Sequence, residues 1–190
     1  MAKATDAQRE MLLVLRAQSG SQDALDEIFK SVQEPLFNYI LTLVRERQLA
    51  EDVLQEVFLR IYRKLRWLQE PAAFRAWSYQ IATREAFRQL KRERRWSDQV
   101  RDEEALQIIP AAQRDEEFPP ELIEMLPKVV DNLPPASRAV VVLHYLHELS
   151  FVETAAVLGI PLGTVKSRLA YALTSLRQQF QKQAKHSMEA

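Results

Sequence analysis

Residues 150–169 read SFVETAAVLGIPLGTVKSRL, and this stretch decides the fold of the C-terminal part of the chain. Ser150 followed three residues later by Glu153 has the form of a capping box, which marks the start of a helix. Gly159 is suited to end that helix, the next four residues are expected to form a short turn, and Thr164 can cap a second helix. Two helices joined by a short turn that contains glycine make a helix-turn-helix.

The start of the second helix carries the residue types of a nucleic-acid contact. In helix-turn-helix units the second helix enters the major groove, and its N-terminal residues meet base edges. Lys166, Ser167 and Arg168 lie in this first turn with no acidic residue nearby, so the side chains and the helix dipole both favour phosphate and base acceptors. An ordinary helical hairpin with a solvated basic face is the alternative interpretation.

The rest of the chain also predicts helices. Glycine occurs only at positions 20, 159 and 163, apolar residues recur at helical spacing, and no alternating run indicates a strand. Leu54, Phe58, Ile61 and Leu65 form one such apolar stripe, and Pro35 can kink the second helix. Helices are expected at about residues 6–18, 23–47, 50–68, 72–95, 121–132, 136–147, 151–158 and 165–183.

The pattern divides the chain into two small helical domains joined by an acidic linker. Residues 1–95 form the first domain, and residues 120–190 form the second, which contains the helix-turn-helix. Residues 96–119 have little apolar periodicity, contain Pro110 and two acidic clusters, and end at the pair Pro119-Pro120, as is typical of a linker. The expected fold class is therefore all-α.

Charge alternates along the chain, although the 26 basic and 26 acidic residues cancel. Residues 60–95 contain eleven basic side chains and three acidic ones, residues 97–124 contain two and nine, and residues 164–186 contain five and none. The zero net charge therefore does not exclude a nucleic-acid binder, because a local basic patch forms such an interface.

Composition and motifs disfavour catalytic and metal-binding functions. The 190 residues include no cysteine, which removes disulfides, thiolate nucleophiles and cysteine-ligated zinc. His144 and His147 are three residues apart on a predicted helix but lack further ligands, so a buried or capping role is favoured over a metal site. No Ser-His-Asp arrangement, paired carboxylates or phosphate-binding glycine pattern is found. We expect no enzyme, no cofactor and no metal.

Nothing in the sequence predicts a targeting or membrane segment. The first residues lack the apolar core and the cleavage site of a signal peptide. The longest apolar run, residues 139–143, is far shorter than the roughly 20 residues that span a bilayer. A soluble, cytoplasmic protein is expected.

Aromatic and basic residues are interleaved around the fourth predicted helix. Trp67, Phe74, Trp77 and Tyr79 lie in the sequence beside Arg75, Arg84, Arg88 and Lys91. Bases stack on rings while arginines hold phosphates, so this mixture suits unstacked, single-stranded nucleic acid better than duplex. The alternative is that Phe74, Trp77 and Ile81 are core residues, and it is favoured for Trp77 and Ile81.

Three motifs carry a resemblance to a known family. They are residues 49–63 (LAEDVLQEVFLRIYR), residues 74–82 (FRAWSYQIA), and residues 133–169, which include the helix-turn-helix. In this order, they resemble the polymerase-binding helix, the −10 promoter-recognising helix and the −35-binding domain of bacterial sigma factors. The short linker without an intervening domain resembles the extracytoplasmic-function group, and the resemblance covers residues 22–180.

The resemblance implies an alternative sigma factor, which directs core RNA polymerase to specific promoters and helps to open the −10 region. It implies polymerase contacts at Asp52, Gln55, Glu56 and Arg60. It implies −10 contacts at Phe74, Arg75, Trp77, Tyr79, Arg84, Arg88 and Lys91, with residues 67–75 capturing a flipped base. It implies −35 contacts at Thr164, Lys166, Ser167, Arg168 and Tyr171. An anti-sigma factor is the expected regulator.

A three-residue stretch and one further position depart from the pattern of the family. Ala170-Tyr171-Ala172 stands where a bulky residue and arginines are usual, which predicts fewer phosphate contacts and weaker, less salt-dependent −35 binding. Arg84 stands where an uncharged polar residue is common. An unusual promoter sequence is therefore expected.

Several alternatives remain open at the level of sequence. The chain could be a sigma mimic that binds an anti-sigma factor without initiating transcription, or a helix-turn-helix regulator that does not bind polymerase. The acidic linker either imitates a nucleic-acid strand in the RNA exit channel of polymerase or is an ordinary solvated linker.

Overall fold

The structure is a computed structural model that describes residues 2–94 and 130–188, with side chains described for residues 6–92 and 130–176. The chain separates into two compact units, Met1–Ser97 and Asp98–Ala190. All regular structure in the described residues is helical, which confirms the predicted all-α fold class with two helical domains. The predicted linker, residues 96–119, lies outside the described residues, as does most of the helix expected over residues 121–132.

Four α-helices form the N-terminal unit. They are α1 (Ala2–Gln18), α2 (Gln22–Val44), α3 (Arg47–Lys64) and α4 (Phe74–Arg94), and two 3-10 turns, Leu65–Trp67 and Pro71–Ala73, connect α3 to α4. Helix α1 packs on α2, α2 packs on both α3 and α4, and α3 packs on α4. The unit is a helical bundle in which α2 contacts each of the other three helices.

The boundary between α2 and α3 differs from the expected one. The sequence predicted a helix over residues 23–47, but α2 ends at Val44 because Arg45 has a left-handed backbone conformation, with a φ of 66°. The Arg45 N–H donates to the carbonyl of Leu41, and α3 begins at Arg47. Glycine usually marks such a helix end, but the residue here is an arginine, which rarely adopts this conformation. The sequence therefore contains no signal for the end of α2.

A pair of buried tyrosines joins α2 to α4. Tyr39 and Tyr79 are both buried, and their rings meet edge to face with centroids 5.3 Å apart. The Tyr39 hydroxyl shares a 2.8 Å hydrogen bond with the Thr83 hydroxyl, which provides the polar partner that a buried tyrosine needs. Burial raises the pKa of Tyr39, so this hydroxyl stays neutral.

The apolar stripe predicted on the third helix faces the core of the bundle. Leu54, Ile61 and Leu65 are buried, while Phe58 is half-buried and stacks on Phe29 with ring centroids 4.8 Å apart. The helical period in the sequence therefore predicted the buried face of α3.

Three α-helices and a π-helical segment make up the described part of the C-terminal unit. A 3-10 turn (Val130–Asn132) precedes α5 (Pro135–Val141), the π segment (Val142–Leu146), α6 (Phe151–Leu158) and α7 (Leu162–Met188). The helix expected over residues 136–147 is present, but its second half has the wider π turn. Helices α5 and α6 both pack on α7.

No helix within the described residues of either unit combines the length and the apolar character that crossing a membrane requires.

Helices α6 and α7 form the predicted helix-turn-helix. Ser150 Oγ accepts a 3.2 Å hydrogen bond from the Glu153 N–H, and the Glu153 carboxylate accepts a 2.8 Å bond from the Ser150 N–H. At the other end, Gly159 has a φ of 65°, and the Ile160 N–H donates to the carbonyl of Ala155. Because backbone groups at both ends are satisfied, the short α6 has defined limits.

The start of α7 corrects one expectation. The sequence predicted Thr164 as the N-cap, but α7 begins at Leu162. The N–H groups of Thr164 and Val165 donate to the carbonyl of Pro161 at 2.9 and 3.1 Å. Thr164 therefore lies inside the first turn of the helix, and the connecting turn is shorter than expected.

Replacing Gly159 by alanine is expected to lower the free energy of unfolding by about 1–2 kcal/mol, because a left-handed conformation brings Cβ close to the following carbonyl oxygen. The matched control is Gly163→Ala, where the backbone is not left-handed and the added Cβ also meets open space. That change is expected to stabilise the protein by about 0.5–1 kcal/mol. Urea denaturation measures both, and equal effects would contradict the assigned limits of α6 and α7.

Candidate nucleic-acid interface

The outer face of α7 brings together the residues predicted for duplex DNA. Lys166 is exposed, and Thr164, Ser167, Arg168 and Tyr171 are partly exposed. The Ser167 hydroxyl donates to the carbonyl of Thr164 at 3.1 Å, so it also bonds to its own helix. The first turns of α7 therefore combine two cations with hydroxyl and aromatic groups on one accessible helix end.

The opposite face of α7 fixes the helix in the unit. Val165, Leu169, Ala172 and Leu176 are buried at helical spacing. The absence of a cation at Ala172 thus has a packing reason, because this position faces the core. Only Ala170 and Tyr171 of the three departing residues are partly exposed.

A buried arginine, which the sequence analysis did not single out, fastens the segment before α5. Arg138 is 2% exposed, and its guanidinium donates to the carbonyls of Val130, Asp131 and Leu133 at 3.1, 3.0 and 2.8 Å. A buried charge needs such partners. The one available signal was an arginine directly before the apolar run 139–143.

His144 links the end of the π segment to the start of α6. Its Nδ1 lies 2.7 Å from the carbonyl oxygen of Leu149, and its ring stacks on Phe151 with centroids 4.2 Å apart. The sequence favoured a buried or capping role for this histidine over a metal site, and the structure places it half-buried with a bond to a loop carbonyl. They hold the loop that leads into the helix-turn-helix.

Helix α4 exposes its cations and buries two of its rings. Arg75, Arg84, Arg88 and Lys91 are exposed, and Trp77 is half-buried. Phe74 and Tyr79 are buried, which is the reason to correct their predicted role: a ring enclosed by the bundle cannot stack on a base. Tyr79 packs on Tyr39 of α2, and Phe74 lies against Trp77 of its own helix.

Arg75, at the start of α4, interacts with the Glu10 carboxyl and with the Tyr79 phenol. Burial raises the pKa of Tyr79 to about 12, although a hydrogen bond and the charge of Arg75 oppose this rise. Burial also raises the pKa of Glu10 on α1, and the same guanidinium again opposes it. The first turn of α4 is therefore electrostatically connected to α1.

Two of the predicted contact arginines share a buried carboxylate. The Glu85 side chain is 6% exposed, and its Oε1 lies 2.8 Å from Arg60 Nε, while its Oε2 pairs with Arg88. Glu56 lies 3.0 Å from the same Arg60 nitrogen and 3.8 Å from Arg88. This Glu85 cluster joins α3 to α4, so Arg60 and Arg88 carry a structural role whatever else they contact.

The exposed face of α3 contains apolar residues that the sequence analysis did not assign. Asp52 and Gln55 are exposed, as predicted for contact residues, whereas Glu56 is partly exposed within the Glu85 cluster. Leu59 and Tyr62 are 48% and 59% exposed on the same helix. Residues 52, 55, 59 and 62 are at helical spacing, so they form one mixed polar and apolar strip.

Trp67 stands out in the connection between α3 and α4. Its ring is 68% exposed, and the Arg66 guanidinium lies 4.5 Å from the ring centroid, within the range of a cation–π contact. This ring is the first residue of the segment 67–75 that the resemblance assigned to capture of a flipped base. Its exposure next to a cation gives it the properties that the buried Phe74 lacks.

Comparisons with known proteins identify the two units. Residues 28–96 match Sigma-70 region 2, and residues 129–178 match Sigma-70, region 4. The RNA polymerase sigma-H factor of Pseudomonas aeruginosa is 30% identical over 183 residues, which cover 92% of this chain and 95% of that protein. The ECF RNA polymerase sigma factor SigW of Bacillus subtilis is 29% identical over 175 residues, which cover 87% and 94%.

The chain belongs to the sigma-70 family, in its extracytoplasmic-function group. The predicted function of an alternative sigma factor, with core RNA polymerase and promoter DNA as its partners, is thereby confirmed. Two solved structures share the fold of this sigma factor. CnrH in complex with the cytosolic domain of CnrY has a TM-score of 0.66 and 24% identity, and the match covers 91% of this chain and 97% of that chain. The sigma factor RpoE in complex with the anti-sigma factor NepR from Bartonella quintana has a TM-score of 0.63 and 20% identity, with coverages of 82% and 96%.

Glu85→Gln is expected to lower the free energy of unfolding of this sigma factor by about 2 kcal/mol, because it replaces the charged acceptor of Arg60 and Arg88 by a neutral one, while both arginines keep access to solvent. The matched control is Glu51→Gln, which breaks an exposed 3.0 Å pair with Arg47 and is expected to cost about 0.5 kcal/mol. Chemical denaturation at neutral pH measures both. Equal, small losses would show that the Glu85 cluster does not hold α3 to α4.

Proposed function

We propose that the two units of this sigma factor divide promoter recognition between them. Helix α7 binds the −35 duplex, and α4 with the preceding segment, residues 65–73, binds the melted −10 strand. The mixed strip at residues 52, 55, 59 and 62 binds core RNA polymerase.

The observation that carries the −35 assignment is the exposed start of α7. Lys166 and the partly exposed Ser167, Arg168 and Tyr171 lie on this helix, while Val165 and Leu169 anchor it. A recognition helix in a helix-turn-helix contacts base edges with its N-terminal residues. The burial of Ala172 removes much of the argument for a sigma mimic, since an arginine at this position would face the core.

The −10 assignment rests on exposed cations of α4 and on an exposed ring in the segment that precedes this helix. Arg84 and Lys91 are exposed on α4, and within residues 6–92 no ion pair joins either of them to an acid. Trp67 supplies an accessible ring on which a base can stack. Arg75 and Arg88 add positive charge to the same helix, although both also interact with other side chains.

The polymerase assignment rests on the exposure of Leu59 and Tyr62 beside Asp52 and Gln55. Apolar and aromatic residues surrounded by polar ones are typical of the centre of a protein interface. Glu56 and Arg60 support this strip from the Glu85 cluster and do not form its centre.

Other parts of the proposal follow from the family. Two proteins of this fold occur in complexes: CnrH with the cytosolic domain of CnrY, and the sigma factor RpoE with the anti-sigma factor NepR. An anti-sigma factor is therefore proposed as the regulator of this chain. The protein is proposed to act in the cytoplasm and to have no catalytic activity of its own, its binding energy being directed to promoter opening.

Two substitutions test the division of labour, and each is the control for the other. Lys166→Ala is expected to weaken holoenzyme binding to duplex −35 DNA and to reduce by about 1 the slope of log affinity against log salt, because one phosphate contact is lost. Arg84→Ala is expected to leave that duplex affinity unchanged and to slow opening of the −10 region.

Fluorescence anisotropy on duplex fragments and a fluorescent base placed in the −10 region measure the two steps separately. If both substitutions affected the same step, the assignment of one DNA element to each unit would be wrong.

A further inference from the structure

Gln18 is the last residue of α1, and the backbone after it has a defined geometry. After Gln18, Gly20 has a φ of 97°, its N–H donates to the carbonyl of Ala17, and the Ser21 N–H donates to that of Arg16. This pair of bonds is a Schellman motif, which ends a helix at a defined residue. The position from which the Gln18 side chain starts is therefore determined by the local chain.

The Gln18 side chain makes a contact across 47 and 50 residues of sequence. Its Nε2 donates to the carbonyl oxygen of Leu65 at 2.9 Å and to that of Leu68 at 2.8 Å. Both partners are acceptors, so only the amino group of the amide can make these bonds. One side chain thus uses its two donors on the start of the segment that joins α3 to α4.

These two carbonyls lie where helical structure ends. The Leu65 carbonyl also accepts a hydrogen bond from the Leu68 N–H, which closes a 3-10 turn. Leu68 itself leaves the helical conformation, with a ψ of 106°. The end of a helix leaves its last carbonyls without helical partners. Gln18 supplies donors in their place, and α1 packs against both 3-10 turns of the segment.

We propose that Gln18 is a positioning residue for −10 recognition, because it holds residues 65–73 in the arrangement that presents Trp67 to the melted strand. This inference rests on the proposed −10 function of that segment. Helix α1 precedes the matched region 2 segment, which begins at residue 28, so the inference also gives this first helix a role in promoter selection.

The physical reason is preorganisation. A segment of two short turns reads a base well only when its position is fixed before binding, because ordering it on binding costs free energy. Without the two Gln18 hydrogen bonds, α4 can still bind a strand through its cations, but the segment discriminates less between bases. The effect should therefore appear in sequence preference more than in total affinity.

The test is a series of substitutions at Gln18 in the full chain with core polymerase. Gln18→Met keeps the length and the helix propensity of the side chain and removes both donors, and it is expected to reduce the ratio of open-complex formation on the preferred and a mismatched −10 element by about tenfold. Gln18→Glu, which places oxygens against the carbonyls, is expected to reduce it at least as much. Gln18→Lys restores donors, and the ratio is expected to stay within about twofold of the original.

Gln8→Met is the matched control, because Gln8 is exposed on the same helix. Binding to core polymerase and to −35 duplex is expected to be unchanged in all four variants. Amide hydrogen exchange at residues 65–73 is expected to be faster in the Met and Glu variants only.

The outcomes separate the inference from the function on which it rests. The role of Gln18 would be overturned if Gln18→Met discriminated between −10 elements as well as the original protein does. It would also be overturned if Gln18→Lys lost as much discrimination as Gln18→Met. If Trp67→Ala left discrimination intact, the −10 role of the segment itself would be wrong. Should the Met variant fail to fold, the Lys variant decides, because retained discrimination supports the donors and lost discrimination contradicts them.

Discussion

The N-terminal unit depends on one buried carboxylate. Glu85 lies between α3 and α4 and pairs with an arginine from each helix. A carboxylate this enclosed is tolerated only with close partners, because desolvation of an isolated charge is costly. The cations of this region therefore fall into two groups. Arg60 and Arg88 pair with Glu85 and hold α3 to α4, while Arg84 and Lys91 are exposed. A basic surface can therefore exist on a tightly packed helix.

The C-terminal unit also buries a charged side chain, and there the partners are backbone carbonyls. Arg138 is buried and donates to three carbonyls before α5, and His144 contacts a fourth in the loop that leads into α6. These contacts and the capping box at Ser150 define where each short helix begins. Since the proposed recognition surface lies at the first turns of α7, these helix limits determine which side chains it presents.

Much of the fold could be predicted from local signals. The capping box at Ser150, the glycine at 159 and the helical spacing on α3 depend on neighbouring residues, and the structure agrees with each of them. The start of α7 and the end of α2 were missed, because Pro161 acts as the first acceptor and Arg45 adopts a conformation usual for glycine. The predicted linker lies outside the described residues and stays a prediction.

The site was harder to predict than the fold, because contacts between distant residues are not written in local sequence. Composition grouped all aromatic and basic residues of α4 together, but packing buries Phe74 and Tyr79 and leaves Arg84 exposed. Gln18 and Leu65 are 47 positions apart, and nothing in either local pattern connects them. Such pairs require the tertiary structure.

Run-off transcription by purified core polymerase on a library of promoter fragments, with and without this protein, tests the central claim most directly. The account predicts transcripts that depend on the protein, start at defined positions, and share sequence preferences both at −10 and at −35. Retained polymerase binding with no transcript, or a preference confined to the −35 element, would contradict the division of promoter recognition between the two units.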